Sequence, residues 1–149
     1  MIVVNLILAL LFQAPAPARK VVVGLQDGQQ LVMENPQFSG FIAGPSGNAV
    51  LLYRQKNVHG EIPINTISRI DFGAYKRGKP LPMTVTLKNG QKLEVESERN
   101  DFISVRGKTD RGTVTINHPD PTSTPLKLST KKPNRKKDLT IQYLEIPGS

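Results

Sequence analysis

The stretch that decides the fold occurs twice, as Val23-Gly-Leu-Gln-Asp-Gly-Gln-Gln-Leu-Val-Met-Glu34 and again as Val85-Thr-Leu-Lys-Asn-Gly-Gln-Lys-Leu-Glu-Val-Glu96. In each copy an Asp-Gly or Asn-Gly pair separates two runs of alternating apolar and polar residues. Such dipeptides favour a type I′ turn, because that turn needs positive φ at both central residues. Alternation places one face of each strand in a core and the other in water. The stretch therefore predicts one β-hairpin in each copy.

Two further blocks repeat in the same order, which indicates a duplication. Residues 54–65 match 106–117 at a spacing of 52, and 66–72 match 140–146 at a spacing of 74, against 62 for the hairpin block. The changing spacing places the length differences in loops. In the last block the apolar residues are three apart and then two apart, which predicts a 3₁₀ turn before a short final strand. We expect five strands in each copy.

This element order resembles the small five-stranded barrels of the SH3-like and Sm-like group. The motifs that carry the resemblance are Val-x-Leu-x-(Asp/Asn)-Gly-Gln-x-Leu near each start and (Ile/Val)-x-Ile-Asn near each end. The resemblance implies the fold alone, since Met33 and Val95 stand where Sm proteins have glycine and the Asp-x-Met-Asn signature of the Sm RNA pocket is absent. We therefore predict an all-β protein with two tandem five-stranded SH3-like small barrels after an N-terminal signal peptide.

The predicted boundaries follow from the repeats and from composition. We expect a signal peptide at 1–18, a first barrel at 19–72, a linker at 73–82 and a second barrel at 83–146, with a basic, proline-rich insertion at 118–139. The linker has two Gly, two Pro and three basic residues, a composition that does not continue a strand easily.

The first eighteen residues have the pattern of an export signal. An apolar run from Ile2 to Phe12 is shorter than the roughly 20 residues a membrane-spanning helix needs, and it suits a signal-peptide core. Ala16-Pro17-Ala18 has the form of a cleavage site, although no Lys or Arg precedes the apolar run. We predict cleavage after Ala18, a secreted or periplasmic location and no transmembrane span in the mature chain. If the segment is retained, an intracellular RNA-binding barrel is the alternative.

Composition excludes several kinds of chemistry. The chain has 149 residues, no Cys, two His, and 20 Lys and Arg against 12 Asp and Glu, a net charge of +8. Without Cys there is no disulfide, thiolate zinc site or cysteine nucleophile. His59 and His118 fall in loops of different copies, and no serine stands in a Gly-x-Ser-x-Gly elbow. We therefore expect no metal, no cofactor and no enzymatic activity.

The candidate site is a set of basic residues that would contact a polyanion. Proline and charge density predict a loop at 118–139, whose end is rich in cations. The residues predicted to contact an anionic polymer or membrane surface are Lys131, Lys132, Arg135, Lys136 and Lys137, with Lys76, Arg77 and Lys79 of the linker in support. No aromatic residue interleaves with this run, so a nucleic-acid partner is not favoured. The alternative is a solvated loop that only maintains solubility.

Two apolar features allow other interpretations. Val21–Val23 and Val50–Tyr53 are apolar on both faces, which predicts that the outer face of the first barrel packs against the second copy or a partner. The alternative is a denser local core within the first barrel. The alternative function is accordingly a structural subunit of an envelope protein complex that docks through this face. Phe38, Phe41 and Ile42 lie in a Gly- and Pro-rich loop, where they either plug a barrel end or line a shallow peptide groove.

Overall fold

The computed structural model describes residues 19–45, 47–76, 78–98, 102–119 and 141–148, and these residues form an all-β protein, as predicted. The signal-peptide prediction and most of the basic insertion lie outside them. A 3₁₀ turn at Ile64–Thr66 precedes β6. The apolar spacing of Ile67 and Ile70 predicted the turn at those residues, which instead lie within β6, so the predicted position is wrong. The strands are β1 Lys20–Leu25, β2 Gln30–Gly40, β3 Ile42–Ala43, β4 Val50–Gln55, β5 Val58–Pro63, β6 Ile67–Phe72, β7 Pro82–Leu87, β8 Lys92–Ser97, β9 Ile103–Thr109, β10 Gly112–His118 and β11 Ile141–Glu145.

Both predicted hairpins are present, β1–β2 and β7–β8, and their turns are built alike. Gly28 and Gly90 have φ of 88° and 89°, whereas the preceding Asp27 and Asn89 do not have positive φ. The predicted type I′ turn is therefore wrong, because only the glycine of each pair takes the left-handed conformation. The Asp27 and Asn89 side chains instead accept the backbone N–H two residues later, at 3.0 Å and 2.9 Å.

The strands form one curled sheet in the order β10-β9-β2-β1-β11-β6-β7-β8-β4-β3, with β5 paired to β4. Ten of the eleven described strands form two five-strand units joined by the β11–β6 pair. The two-residue strand β3, which pairs with β4, is additional to the five strands predicted for the first copy. We name β11-β1-β2-β9-β10 the split unit, because it combines the two ends of the chain. We name β6-β7-β8-β4-β5 the continuous unit, because its strands follow one another between Val50 and Ser97.

The two units repeat the same pairing register. Val23 of β1 stands opposite Leu144 of β11, and the residue 62 positions after it, Val85, stands opposite Ile70 of β6. Ile70 and Leu144, themselves 74 positions apart, face each other where β6 and β11 pair. The pairing thus has an approximate twofold relation centred on this contact, which places the Gly-tipped hairpins in like surroundings.

The spacing between the two copies of the middle block is two residues longer in the structure than the sequence comparison predicted. The turn between β4 and β5 is Lys56-Asn57, and the turn between β9 and β10 is Asp110-Arg111, so equivalent residues stand 54 apart and not 52 apart. A shift of two residues keeps each side chain on the same face of a strand, so the apolar pattern is unchanged by it. The corrected spacing makes His118 the equivalent of Ile64.

Strand pairing crosses the predicted boundary between the two copies. Strand β2 pairs with β9, and β8 pairs with β4, so each unit draws strands from both sequence repeats. The ranges 19–72 and 83–146 therefore describe the two sequence repeats, but neither range contains all the strands that pair within one unit. Residues 73–82, expected to be a linker, join the paired strands β6 and β7 in a hairpin, where the Gly73 N–H donates to the Pro82 carbonyl at 2.8 Å.

Two crossing segments carry the chain from one unit to the other, one after β2 and one before β9, and they contact each other. The chain leaves β2 at Gly40, where φ is +91°, and the next N–H, that of Phe41, donates to the carbonyl of Phe102 just before β9 at 3.1 Å. Phe41 and Ile42 are completely buried, and Phe38 packs against the same core. Of the two roles considered for this loop, its burial favours packing into the core over lining an exposed peptide groove. The buried apolar residues form one cluster that spans both units.

Candidate functional site

Of the eight basic residues predicted to contact an anion, Lys76 and Lys79 lie within the described part of the chain, and both are exposed. The Lys79 N–H donates to the Lys76 carbonyl at 3.0 Å, which closes a tight turn. Gly78 has φ of +73° within this turn, a conformation that glycine adopts without strain. The loop between β6 and β7 therefore holds two cations close together at one end of the sheet. Arg77, Lys131, Lys132, Arg135, Lys136 and Lys137 lie outside the described residues.

The two stems of the basic insertion are fixed to each other and to this same end. His118 ends β10 and Ile141 begins β11, and the Ile141 N–H donates to Nδ1 of His118 at 3.1 Å. The His118 imidazole stacks on Phe72, with ring centroids 5.3 Å apart and planes 27° apart. Phe72 is the last residue of β6, directly before the loop that carries Lys76 and Lys79. Both predicted basic segments consequently leave the sheet beside one aromatic pair.

His118, at the stem of the insertion, is a residue whose environment the sequence did not reveal. The sequence suggested an exposed loop histidine, but the side chain is 1% exposed. Burial lowers the pKa of His118 to about 4, so the imidazole is neutral at pH 7. Its Nδ1 accepts a hydrogen bond and therefore carries no proton, while Nε2 has no partner among the described residues. Its burial could have been inferred from the repeat at the corrected spacing, because that spacing makes His118 the equivalent of the buried Ile64.

Two arginines on the outer face of the sheet, Arg54 and Arg69, are held in ion pairs. At the centre, Arg69 contacts Asp71 at 3.0 Å and Glu145 at 3.6 Å, and its guanidinium lies 3.9 Å from the centroid of the Tyr143 ring. On the continuous unit, Arg54 pairs with Glu96 at 3.1 Å. Paired surface charges offer little attraction to a ligand, so these two arginines are weak candidates for contacting an anion.

The apolar strands of the first repeat are partly covered by this chain itself. Val21, Val23 and Leu51 are buried, and Leu52 and Tyr53 are half-buried and pack against the core. In the described residues, the exposed large apolar side chains are Val32, Val58 and Tyr75.

The remaining histidine, His59, lies beside a carboxylate. His59 is exposed in β5, and its Nδ1 lies 2.7 Å from the Glu98 carboxylate. No cluster of three or more His, Asp or Glu suited to a metal ion occurs in the described ranges. Nor do these ranges contain a helix of the length and hydropathy that crossing a membrane requires.

Comparisons with known proteins do not place this arrangement in a family: no protein-family model, curated protein or solved structure matches the chain. The functional argument accordingly rests on the residues and geometry described above.

Proposed function

We propose that the protein is a non-enzymatic, extracytoplasmic binding module that contacts an anionic envelope polymer through its basic loops. The observation that carries the proposal is that those loops leave the sheet at the same place. The insertion stems at His118 and Ile141 and the loop after Phe72 meet within one stacked contact of 5.3 Å. A polymer that bears repeated negative charges would meet cations from both segments at once, which raises affinity beyond that of either alone.

Two sequence features support the wider setting. The apolar run and Ala16-Pro17-Ala18 favour export, which would bring the protein to wall or envelope polymers. Each unit has the order fifth-first-second-third-fourth when its strands are numbered by their place in the repeat, as in SH3-like and Sm-like barrels. We infer that an ancestral small barrel was duplicated and that the copies exchanged their strand pairs.

Salt-dependent binding tests the proposal. The protein is applied to immobilised heparin, as a generic polyanion, and to a purified anionic wall polymer, and is eluted with rising salt. We expect binding to weaken steeply above about 0.15 M, because the screening length there is roughly 8 Å. Replacing Lys131, Lys132, Arg135, Lys136 and Lys137 by Ala should abolish retention at that ionic strength.

A variant with the same charge change elsewhere is the matched control. Lys20, Lys56, Lys88, Lys92 and Arg106 are exposed on the strands and turns, and replacing them by Ala also removes five positive charges. This variant should retain most of the binding. Equal losses in the two variants would mean that net charge alone attracts the polymer, and the assignment to the loops would be wrong.

The alternative function, a structural subunit that docks through the apolar face of the first repeat, has weaker support. Leu52 and Tyr53 of that face already pack against the core of the same chain. The alternative predicts association that depends on protein concentration and survives high salt, since apolar contacts are not screened. Sedimentation of the mature protein over a dilution series distinguishes the two functions.

A further inference from the structure

The split unit contains a groove of about 540 Å³ between the start of β2 and the turn that joins β9 to β10. Val32 lies in its wall on the β2 side, and Lys108, Thr109, Asp110 and Arg111 line the opposite side. Val32 is 52% exposed, an unusual value for a valine in a strand that has neighbours on both sides. The groove is formed by different elements from the basic loops, so a ligand bound in it would be independent of the proposed polymer binding.

The start of β2 lines this groove. Some of its backbone N–H and C=O groups point into the groove and are not hydrogen-bonded to any described strand. The Leu25 N–H donates to Gln29 and the Asn35 N–H donates to Arg19, at 2.8 Å each, so the odd-numbered residues of β2 bond to β1. In an antiparallel ladder the even-numbered residues then direct their N–H and C=O to the opposite side. Strand β9 pairs with β2 only from Glu34 onward. The N–H and C=O groups of Gln30 and Val32 therefore point into the groove.

The equivalent position in the continuous unit is closed. Glu94 of β8 is the equivalent of Val32, and its carbonyl accepts a hydrogen bond from Nε2 of Gln55 at 3.1 Å. The residue 54 positions after Gln55 is Thr109, whose side chain is shorter. The Thr109 Oγ1 donates to the Gly112 carbonyl at 2.9 Å and accepts the Arg111 N–H at 3.1 Å. Thr109 is thus occupied within its own turn, and the edge of β2 stays open.

We propose that this edge of β2 binds an extended peptide segment of a partner protein as an added strand, with a peptide carboxylate directed to Lys108 and Arg111. The unpaired N–H and C=O groups of alternate residues are the pattern that an added antiparallel strand satisfies. Neither Lys108 nor Arg111 has an ion-pair partner among the described residues, whereas Glu34 lies 3.8 Å from Lys20. The exposed Val32 side chain supplies an apolar contact for the peptide.

Peptide selection on the full chain provides the test. A phage-displayed library of random dodecapeptides is selected against the protein, and enriched sequences are synthesised with a fluorophore for titration. We expect sequences that alternate aliphatic and polar residues and contain Asp or Glu. Bound peptide should slow hydrogen exchange at the amides of Gln30 and Val32, because each then donates to the added strand. Failure to enrich any peptide, or slowed exchange only at other strands, would overturn the proposal.

Three variants assign the binding to this edge. Val32→Pro removes a donor that β1 does not use, and Thr109→Gln restores the longer side chain that closes the continuous unit. Each should weaken peptide binding by about tenfold or more, as expected for lost hydrogen bonds in a groove. Gln55→Thr, the matched change in the other unit, should leave this affinity unchanged. If Val32→Pro does not fold, Thr109→Gln decides the question, and wild-type affinity in that variant refutes the proposal.

Discussion

The split unit and the continuous unit share a backbone plan but differ in the side chains of their third and fourth strands. Their hairpins β1–β2 and β7–β8 have the same turn and the same side-chain bond to the turn backbone. By contrast, Gln55 and Ile64 of the continuous unit have Thr109 and His118 as their equivalents in the split unit. The first difference opens a groove and the second places a titratable group in the core.

This contrast shows where two units with the same pairing register can differ while sharing one core. The hairpin positions hold the register of both units, so they stay alike. The third and fourth strands of each unit follow a segment that crosses over from the other unit. They lie towards the edge of the sheet, where fewer neighbouring strands constrain a side chain. The crossing segments and the altered core position are the places at which the comparison can be tested.

The largest expected effect comes from blocking the crossing at Gly40. A Cβ at this position would overlap the backbone carbonyl of Phe102, and φ of +91° is itself strained for any residue with a Cβ. Since neither crossing segment can move without displacing the other, Gly40→Ala should lower the free energy of unfolding by about 3–5 kcal/mol. Urea unfolding followed by circular dichroism measures this change.

Gly28→Ala is the control for Gly40→Ala. Gly28 also has positive φ, 88°, but a Cβ there meets no atom within 4 Å. Its cost should therefore be the conformational one alone, about 1 kcal/mol. Equal destabilisation by the two substitutions would show that the crossing segments are not tightly packed against each other.

The next effect tests the difference between His118 and Ile64 through pH. Because burial lowers the folded-state pKa of His118 from 6.5 to about 4, the unfolded chain binds a proton that the folded chain does not between these values. Stability is therefore fully present above about pH 6.5 and falls as the pH drops to 4, by roughly 3 kcal/mol from this residue. Below pH 4 the contribution of His118 no longer changes.

His118→Asn separates this titration from the packing of the site. The Asn side-chain oxygen can accept the Ile141 N–H in place of Nδ1, but the residue does not titrate. We expect some loss of stability at pH 7 from the missing ring stacking, and a shallower fall in stability between pH 6.5 and 4 than in the wild type. Denaturant midpoints across this pH range make the comparison. Parallel curves for the two proteins would contradict a buried neutral imidazole.

The hairpins and the all-β class were predictable because alternation and Asp-Gly or Asn-Gly pairs are local signals. The side-chain pattern alone could not determine the register of the middle repeat, since a two-residue slip leaves the same faces buried. It also could not show which repeat supplies each partner strand, because β2 meets β9 across a long separation in the chain. The same long-range pairing brings His118 to Phe72, so the stem of the candidate site was hidden from the sequence.

The smallest expected effect lies at the centre of the twofold relation. Arg69 and Tyr143 stand 74 positions apart and are equivalents, yet one is a cation and the other an aromatic ring, and they contact each other at 3.9 Å. A double-mutant cycle with Arg69→Met and Tyr143→Leu should give a coupling of about 0.5–1 kcal/mol, the range for a cation above a ring at a partly exposed site. Thermal or urea unfolding of the four proteins yields this value.

High salt distinguishes that coupling from an ordinary surface ion pair. The Arg54–Glu96 pair, at 3.1 Å on the outer face of the continuous unit, supplies the comparison cycle. At 1 M salt the screening length is about 3 Å, so the coupling of the ion pair should disappear. The Arg69–Tyr143 coupling should persist in part. The guanidinium attracts the ring electrostatically, but it also covers the ring face and excludes solvent, and this second effect does not depend on salt. If both couplings vanish, the contact between Arg69 and Tyr143 is purely electrostatic, and covering of the ring face by the guanidinium adds no stabilisation of its own.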